Sequence, residues 1–357
     1  MERILDWIKR QLANPQLVSL ILLIAGVWLV ISLFGAELAP LLAALVLAYL
    51  LEGPVSYLEA RRTPRRLAAL TVWAVFVIGL VLALVTLVPL LSKQVTQIFQ
   101  EIPNIAARFR EWVMALPERY PTVFTEAQVR ETLASLSFDF SDLREGLASR
   151  TRLLGVGITY IVVYLLLVPL MVFFLLKDRA LIRDWGSRFL PDDNRLIRRV
   201  WGDIDRQLAN YVRGKVVEIL IVWTVTYLTF SFLELRYAML LAAVTGFSVL
   251  VPYVGATVVT FPVAAVAYAQ WGPGADMGWV LFAYAVIQAL DGNVLVPLLF
   301  SEAVDLHPVA IIAAVLFFGG VWGFWGVFFA IPLATVVAAV IRAWPDPEDP
   351  SEPGVAE

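Results

Sequence analysis

The sequence contains no cysteine, and only one of its 357 residues is a histidine. The missing thiols exclude disulfides, cysteine nucleophiles and cysteine-ligated metals, and a single imidazole argues against a histidine-based metal site. The chain also lacks an H-E-x-x-H motif and a phosphate-binding loop, since Gly214 and Lys215 are followed by valine. We therefore expect no cofactor, no metal, no enzymatic activity and no ATP-driven transport by this chain alone.

Charge is scarce as well. Only 16% of the residues are charged and 60% are hydrophobic, whereas about 25% are charged in an ordinary soluble domain. This composition indicates an integral membrane protein, with the lipid bilayer as a partner. The formal net charge is −3, and the long loops hold acids and bases in comparable numbers. No basic face is therefore expected, and no nucleic acid as a partner.

Apolar stretches long enough to cross a bilayer, which takes about 20 residues, recur along the chain. Six of them lie at 17–35, 36–52, 67–91, 153–176, 216–235 and 279–300. Two more, 237–271 and 308–341, are too long for one simple span. The pattern predicts an all-α integral membrane protein, a polytopic bundle of about eight membrane segments, two of them broken or re-entrant.

Basic residues in short loops predict the orientation, because Lys and Arg stay on the cytoplasmic side. The loop "ARRTPRR" at 60–66 has four arginines and no acid, and 177–215 has ten Lys and Arg against six acids. Segment 92–150, with seven Lys and Arg against eight acids, lies between predicted spans and should face the exterior. We expect both termini to be cytoplasmic.

These assignments divide the chain into seven parts. They are an interfacial N-terminal helix at 1–16, three membrane segments at 17–91, a small helical extracytoplasmic domain at 92–150, a fourth segment at 151–176, cytoplasmic amphipathic helices at 177–215, a C-terminal membrane core with interrupted helices at 216–342, and a disordered acidic tail at 343–357. A cytosolic helix that caps the bundle is an equal alternative for 1–16.

Asp291 is the residue that the membrane pattern explains least. No Lys or Arg occurs from 237 to 341, and Asp291 is the one acid there that lies in the middle of a span. An ionised Asp at the centre of a membrane helix costs about 2.5–3.5 kcal/mol, so it normally faces a bundle interior or a water-filled cavity. We expect Asp291 to bind a cation, a proton or the hydroxyls of a solute. The alternative is an Asp that pins two helices together.

Three neighbours extend this candidate binding site. Gln288 precedes Asp291 by three residues and so shares its helical face. Gly292 follows directly and would let the helix loosen, which would expose carbonyl oxygens and turn Asn293 toward the carboxylate. Lys215 and Glu218, one turn apart at the start of the 216–235 span, are expected to form an ion pair at the membrane interface.

Proline and glycine interrupt both over-long stretches. "VLVPYVG" places Pro252, Tyr253 and Gly255 in the first, as candidate binding residues, and "FFGGVWGFWG" places Gly319, Gly320, Gly323 and Gly326 in the second, as candidate helix-break or gating residues. Each stretch should split into halves too short to cross alone. Broken helices that flank a polar span are typical of a transporter binding site. Close helix packing is the alternative role for the glycines.

His307 and Pro308 complete the set of possible gating or helix-break residues. Proline is favoured at the first position of a helix, and a helix N-terminus disfavours a positive charge. We expect His307 to be a neutral hydrogen-bonding group, with a structural cap as its main role.

The order of motifs resembles that of a known family. The sequence runs "YVRGK", "VPYVG", "LDGN…VP", "DLHP" and "GG…WGFWG…IPLA" from residue 211 onward, which is similar to the autoinducer-2 exporter family, or PerM-type permeases. The resemblance implies a protein of the bacterial inner membrane with about eight membrane segments. Some members are assigned to autoinducer-2 export and others to sodium- or lithium-for-proton exchange. The chain departs from the family at Ser301 and Glu302, where a glycine and a basic residue are usual.

Two functions from different classes fit these features. The first is a secondary transporter of a small polar solute such as autoinducer-2, or a monovalent cation/proton antiporter, which we expect to form a homo-oligomer. The second is a membrane scaffold or assembly protein that acts through its extracytoplasmic domain and transports nothing.

Overall fold

The computed structural model of the chain describes residues 15–119, 121, 125–135, 154–188, 195–252, 254–300 and 307–342. Every regular element in these ranges is helical. In chain order they are α1 (Pro15–Ala60), α2 (Arg65–Met114), α3 (Leu116–Arg119), α4 (Glu126–Ser135), α5 (Leu154–Lys177), α6 (Arg179–Ser187), α7 (Arg195–Phe232), α8 (Ala238–Ser248), α9 (Val254–Trp271), α10 (Ala275–Leu290), a π-helical turn (Asp291–Leu295), α11 (Val296–Phe300) and α12 (Pro308–Arg342). The predicted helix at 1–16, except for its last two residues, and the tail at 343–357 lie outside the described residues.

Six stretches of the described chain are long and apolar enough to cross a membrane. They are Glu37–Ala60, Arg65–Glu118, Ile204–Phe232, Val254–Trp271, Ala275–Phe300 and Val309–Thr335. Val75, Ile78 and Leu82 of α2 are each at least 60% exposed, as side chains that face lipid would be. These features confirm an all-helical protein with several membrane-spanning helices. The count of about eight segments stays a prediction. Two further apolar stretches, Tyr164–Lys177 within α5 and Ala238–Ser248, are shorter than a span among the residues whose side chains are described.

α1 joins two of the predicted spans, 17–35 and 36–52, into one helix of 46 residues. Only Phe34 departs from helical geometry, with φ −123° and ψ 18°, and the helix kinks there. The two predicted spans are therefore one kinked helix. Ser32 and Gly35, on either side of Phe34, are of types that favour turns, but the chain there only kinks.

α2 has no break at the boundary that we expected near residue 91, and the place where it leaves the membrane stays a prediction. Its 50 residues run without a break through Pro89 and Pro103 to Met114. At 1.5 Å per residue such a helix is about 75 Å long, more than twice the hydrocarbon thickness of a bilayer. The first part of segment 92–150 is thus a continuation of a membrane helix. Whether the rest forms a separate domain stays a prediction.

The far end of α2 packs against the connection before α8 and the end of α9. Glu101 accepts hydrogen bonds from Arg236 at 2.7 Å and from the Tyr237 hydroxyl at 2.8 Å. Two turns further along α2 than Glu101, Arg108 donates a hydrogen bond to the carbonyl of Ala269 at 2.7 Å. These contacts fix the extension of α2 to the membrane core.

α8 and α9 form a helical hairpin, which we name the first hairpin. α8 ends at Ser248 and α9 begins at Val254, so the predicted interruption near Pro252 is confirmed. At the open end, the Arg236 N–H donates to Gln270 at 2.8 Å. A Cβ added to Gly255 would lie 1.8 Å from the Ser248 carbonyl oxygen, so the turn requires glycine.

The expectation that both halves of 237–271 are too short to cross is wrong for α9. α8 has 11 residues, but α9 has 18 and is apolar enough for a span. The break falls closer to the start of the stretch than to its middle, so the second half keeps the greater length.

α12 folds back on itself at Gly323, and we name its two halves the second hairpin. Gly323 has φ 58° and ψ −132°, a backbone conformation that favours glycine. A Cβ on Gly326 would lie 1.8 Å from the Phe318 carbonyl oxygen, whereas residues eight apart in a straight helix are about 12 Å apart. The predicted interruption is confirmed, and the alternative of close helix packing holds as well.

An ion-pair network joins the helix ends that carry the arginine-rich loop and segment 177–215. The Glu52 carboxylate on α1 accepts hydrogen bonds from Arg65 on α2, at 2.9 Å to each oxygen. Arg179 on α6 pairs with Glu52 at 2.9 Å and with Asp205 on α7 at 3.0 Å. Glu52 is only 7% exposed. Glu52 therefore holds three helices together, and Asp205 links a fourth to them through Arg179. Our sequence analysis did not single out Glu52.

Replacing Glu52 with glutamine should lower the thermal stability of the protein. The change leaves the guanidinium groups of Arg65 and Arg179 without their shared negative partner, and hydrogen bonds to charged groups contribute about 1.5–3 kcal/mol each. Thermal unfolding of the purified protein in detergent measures the effect. Glu37→Gln is the matched control, because Glu37 is exposed and has no partner among the described residues. Equal unfolding temperatures for the two variants would contradict the role of Glu52.

Replacing Gly326 with alanine should destabilise the second hairpin, because the new methyl group would overlap the backbone of Phe318. Overpacking of this kind costs about 1–3 kcal/mol or more. Gly320→Ala is the matched control, since a Cβ at Gly320 meets nothing within 4 Å. Thermal unfolding should separate the two variants clearly. If both behave like the wild type, α12 does not fold back at this point.

Candidate functional site

Asp291 lies where α10 ends and the helix widens. Residues Asp291–Leu295 form a π-helical turn, closed by a hydrogen bond from the Val296 N–H to the Asp291 carbonyl. Turns of this type are rare and frequently occur at functional sites. The loosening of the helix that we predicted at Gly292 is present as this turn.

Asn293 does not take the position that we expected. Its side chain is exposed, and its Nδ2 donates to the Ala289 carbonyl of the same helix at 2.8 Å. The amide is therefore bound to the backbone one turn earlier and is not turned toward Asp291. Such local bonds to the preceding turn are common for Asn in helices.

Gln288 and Asp291 present polar atoms that are buried and unpaired. Neither Gln288 Nε2 nor Asp291 Oδ1 has a hydrogen-bond partner among the described residues. Leaving a buried polar group unpaired costs about 1–3 kcal/mol, and more for a charged group. Each such atom in a native structure requires an explanation, and a bound ion, proton or solute would provide one.

Lys215 and Glu218 on α7 form the ion pair that we expected, and it is buried within the protein; its place at the membrane interface stays a prediction. Their charged atoms are 2.7 Å apart, and their side chains are only 4% and 2% exposed. α7 is one continuous helix from Arg195 to Phe232, so both residues lie well inside it. No helix boundary lies between 215 and 216, and the membrane boundary that we predicted there stays a prediction.

Lys215 and Glu218 face Asp291. Both interact electrostatically with its carboxylate across the contact between α7 and the π-helical turn. The Glu218 Oε2 atom has no well-aligned hydrogen bond despite its short contact with Lys215. The site thus gathers one ammonium, two carboxylates and one amide. The i, i+3 spacing of a Lys and a Glu among apolar neighbours was the signal that sequence analysis assigned to the interface.

The first hairpin also contributes to this site. The Lys215 ammonium donates to the carbonyl of Val249, the residue that caps the C-terminus of α8, at 3.1 Å. The ring of Phe300 lies 5.2 Å from the same ammonium. Gly214 makes room for that ring, because a Cβ there would lie 2.8 Å from it.

The second hairpin is attached one turn earlier on α7. The Tyr211 hydroxyl donates to the Phe328 carbonyl at 2.9 Å, and Tyr211 is 3% exposed. The "YVRGK" segment therefore holds one hairpin through Tyr211 and the other through Lys215. The structure gives these motif residues roles that the sequence did not assign.

The remaining predicted residues lie in the hairpins. Pro252 and Gly255 are at the turn of the first hairpin, close in sequence to Val249, and Tyr253 lies outside the described residues. The four glycines from 319 to 326 surround the turn of the second hairpin. His307 is exposed and caps α12, which begins at Pro308, through a bond from the Val309 N–H to its Nδ1 at 3.2 Å. No contact among the described residues joins His307 to Asp291.

Comparison with known proteins agrees with the motif order. The family described as AI-2E family transporter matches residues 17–346. A protein of Escherichia coli (strain K12) named as a permease, PerM, is 44% identical over 353 residues, which cover 97% of this chain and 98% of the relative. Two Bacillus subtilis (strain 168) proteins named as transport proteins, YueF and YrrI, are each 25% identical and cover 84% and 88% of this chain and 82% and 87% of their own lengths.

The family match spans nearly the whole chain, and it includes both hairpins and the buried polar groups between them. The protein is therefore a multi-pass membrane protein that belongs to the AI-2E transporter family.

Proposed function

We propose that the protein is a secondary transporter that moves a small polar solute such as autoinducer-2, or that exchanges a monovalent cation for protons. One observation carries the proposal. Two buried residues, Lys215 and Glu218, and two half-buried residues, Gln288 and Asp291, form a polar cluster between helices that are apolar enough to span the membrane.

A purely structural role explains this cluster poorly. Replacing a buried ion pair by apolar residues is often neutral or stabilising, so the presence of one is weak evidence for a role in stability alone. Here an oxygen of Asp291 and a nitrogen of Gln288 also have no partner in the part of the chain that the structure describes. Ionisable residues inside a membrane normally mark the path of an ion or a substrate. Reversible binding of an ion or a solute would account for the unpaired atoms and for the ionisable residues between membrane helices.

The two hairpins supply parts that can move relative to α7. The first hairpin contacts the cluster through the Val249 carbonyl, and the second is bound to Tyr211, one turn away from Lys215. Transporters commonly build their sites from such interrupted helices, and alternate access by movement of one part against another. A shift of either hairpin would change which side of the membrane reaches Asp291.

The alternative function, a scaffold acting through segment 92–150, has less support. The described start of that segment is a continuation of α2 that is bound to the first hairpin through Glu101 and Arg108. It is therefore attached to the membrane-spanning helices and does not stand apart from them as a scaffold would. Activity in a reconstituted system decides between the two functions.

The proposal includes an orientation in the bacterial inner membrane, with both termini cytoplasmic, and assembly as a homo-oligomer. Arg65 and Arg179, from the two segments rich in basic residues, meet at Glu52 at one end of the bundle. The far end of α2 meets the open end of the first hairpin. Basic residues stay in the cytoplasm, so the Glu52 end should be cytoplasmic.

Replacing Asp291 with asparagine should abolish gradient-driven transport by purified protein in proteoliposomes, because the variant keeps the shape of the side chain but loses its titratable charge. Autoinducer-2 flux and sodium- or lithium-for-proton exchange are measured in parallel. If Asp291 binds only the coupling ion, exchange of solute at equal concentrations should continue. If it binds the solute, that exchange should fall as well.

Asp276→Asn is the control for this measurement, since Asp276 is exposed at the start of α10. Its transport should equal that of the wild type. Normal gradient-driven transport by the Asp291→Asn variant would contradict the proposed role of Asp291 in binding the solute or the coupling ion. Loss of thermal stability with transport per molecule intact would instead identify Asp291 as a packing residue.

The orientation predicts that residue 301 faces the cytoplasm. The chain has no native cysteine, so a single Ser301→Cys variant can be probed with a membrane-impermeant thiol reagent on intact cells. It should stay unlabelled until the membrane is opened. Ala275→Cys, at the exposed connection between α9 and α10, should be labelled from outside. Labelling of the Ser301→Cys variant from outside would refute the orientation.

A further inference from the structure

The Lys215 ammonium occupies a position that has the features of a cation site. It lies 2.7 Å from a carboxylate oxygen of Glu218 and 3.1 Å from the Val249 carbonyl oxygen, and it faces the carboxylate of Asp291. The Phe300 ring, 5.2 Å away, closes another side of the ammonium. Lys215 itself is 3% exposed.

The Val249 carbonyl explains why a cation is favoured at this point. It caps the C-terminus of α8 in the first hairpin, where the partial charge of the helix dipole is negative. In transporters with interrupted helices, such C-terminal ends and unwound carbonyls coordinate sodium ions or protons. A helix end and two carboxylates converge here, and a lysine side chain fills the space between them.

We propose that Lys215 is a tethered cation that stands where an alkali cation would otherwise bind, so that the protein does not use sodium or lithium as its coupling ion. The inference rests on the proposed transport function and specifies its coupling ion as a proton. The compact ammonium group, a point charge with three donors, is the side chain best suited to replace a monovalent cation.

The proton has a defined acceptor. Lys215 and Glu218 neutralise each other, which leaves the Asp291 carboxylate as the uncompensated charge of the site. Its Oδ1 has no partner among the described residues. A proton that arrives from water on one side forms an O–H bond at Asp291 and makes the site neutral, and its release to water on the other side breaks that bond. Among the described residues, the titratable groups that interact electrostatically with Asp291 are Lys215 and Glu218, both from α7.

Sodium-dependent thermal stability tests the proposal without any transport measurement. The purified wild type should unfold at the same temperature in sodium chloride, lithium chloride and choline chloride. Lys215→Ala vacates the cation position, so sodium or lithium should raise its unfolding temperature by about 3 °C relative to choline, in a saturable manner. Lys93→Ala is the control, because Lys93 is an exposed lysine on α2, and it should show no such rise.

Two results would overturn the proposal. The first is a specific stabilisation of the wild type by sodium or lithium. The second is a Lys215→Ala protein that gains nothing from either ion. Lys215→Gln, which keeps a polar side chain, is made alongside in case the alanine variant does not fold in choline. Failure of both variants to fold even in sodium chloride also counts against the proposal, because sodium should replace the missing charge.

The outcome is separable from that of the transport experiment. If sodium stabilises Lys215→Ala but Asp291→Asn transports normally, the cation site stands and the proposed transport mechanism fails. If Asp291→Asn abolishes transport but sodium does not stabilise Lys215→Ala, the transporter stands and the role of Lys215 as a tethered cation is wrong.

Discussion

A buried ammonium group is the constraint around which the C-terminal core is arranged. An ion at this depth is costly unless it is paired and hydrogen-bonded. Lys215 meets that requirement with groups from several elements, namely Glu218 from its own helix, the Val249 carbonyl from the first hairpin and the Phe300 ring from α11. The charge of one side chain thereby determines how the first hairpin and the end of the Asp291 helix are placed against α7.

The same segment of α7 also positions the second hairpin, by a different interaction. The Tyr211 hydroxyl satisfies the carbonyl of Phe328, which lies just beyond the turn at Gly323. The Phe328 carbonyl has no partner within α12, because Pro332, four residues further on, lacks an N–H, and the Val249 carbonyl lies at the end of α8. Such groups are tolerated in a membrane protein only where protein or water satisfies them. Each hairpin therefore has a backbone carbonyl that is bound by a side chain of the "YVRGK" segment. Gly214, between the two, allows the Phe300 ring to approach.

Close backbone contact makes both hairpins possible. Gly255 and Gly326 each lie so near a carbonyl oxygen that a Cβ would come within 1.8 Å of it. The opposite end of the bundle is held by charge instead, where Glu52 gathers arginines from two other helices. Tight packing thus holds the two hairpins, and ion pairs of Glu52 hold the helices near the arginine-rich loop. The polar cluster of Asp291 lies beside the hairpins.

The sequence by itself determined the class of the protein, the presence of interrupted helices and the loosened turn at Asp291. Composition and the local conformational limits of glycine and proline act over a few residues, so they can be deduced from the order of the chain. Only the tertiary structure decided which groups face Asp291, that Lys215 is buried, and that α2 continues past its expected end. Those outcomes depend on contacts between residues far apart in sequence, such as Lys215 with Val249 and Glu101 with Arg236, which no local pattern specifies.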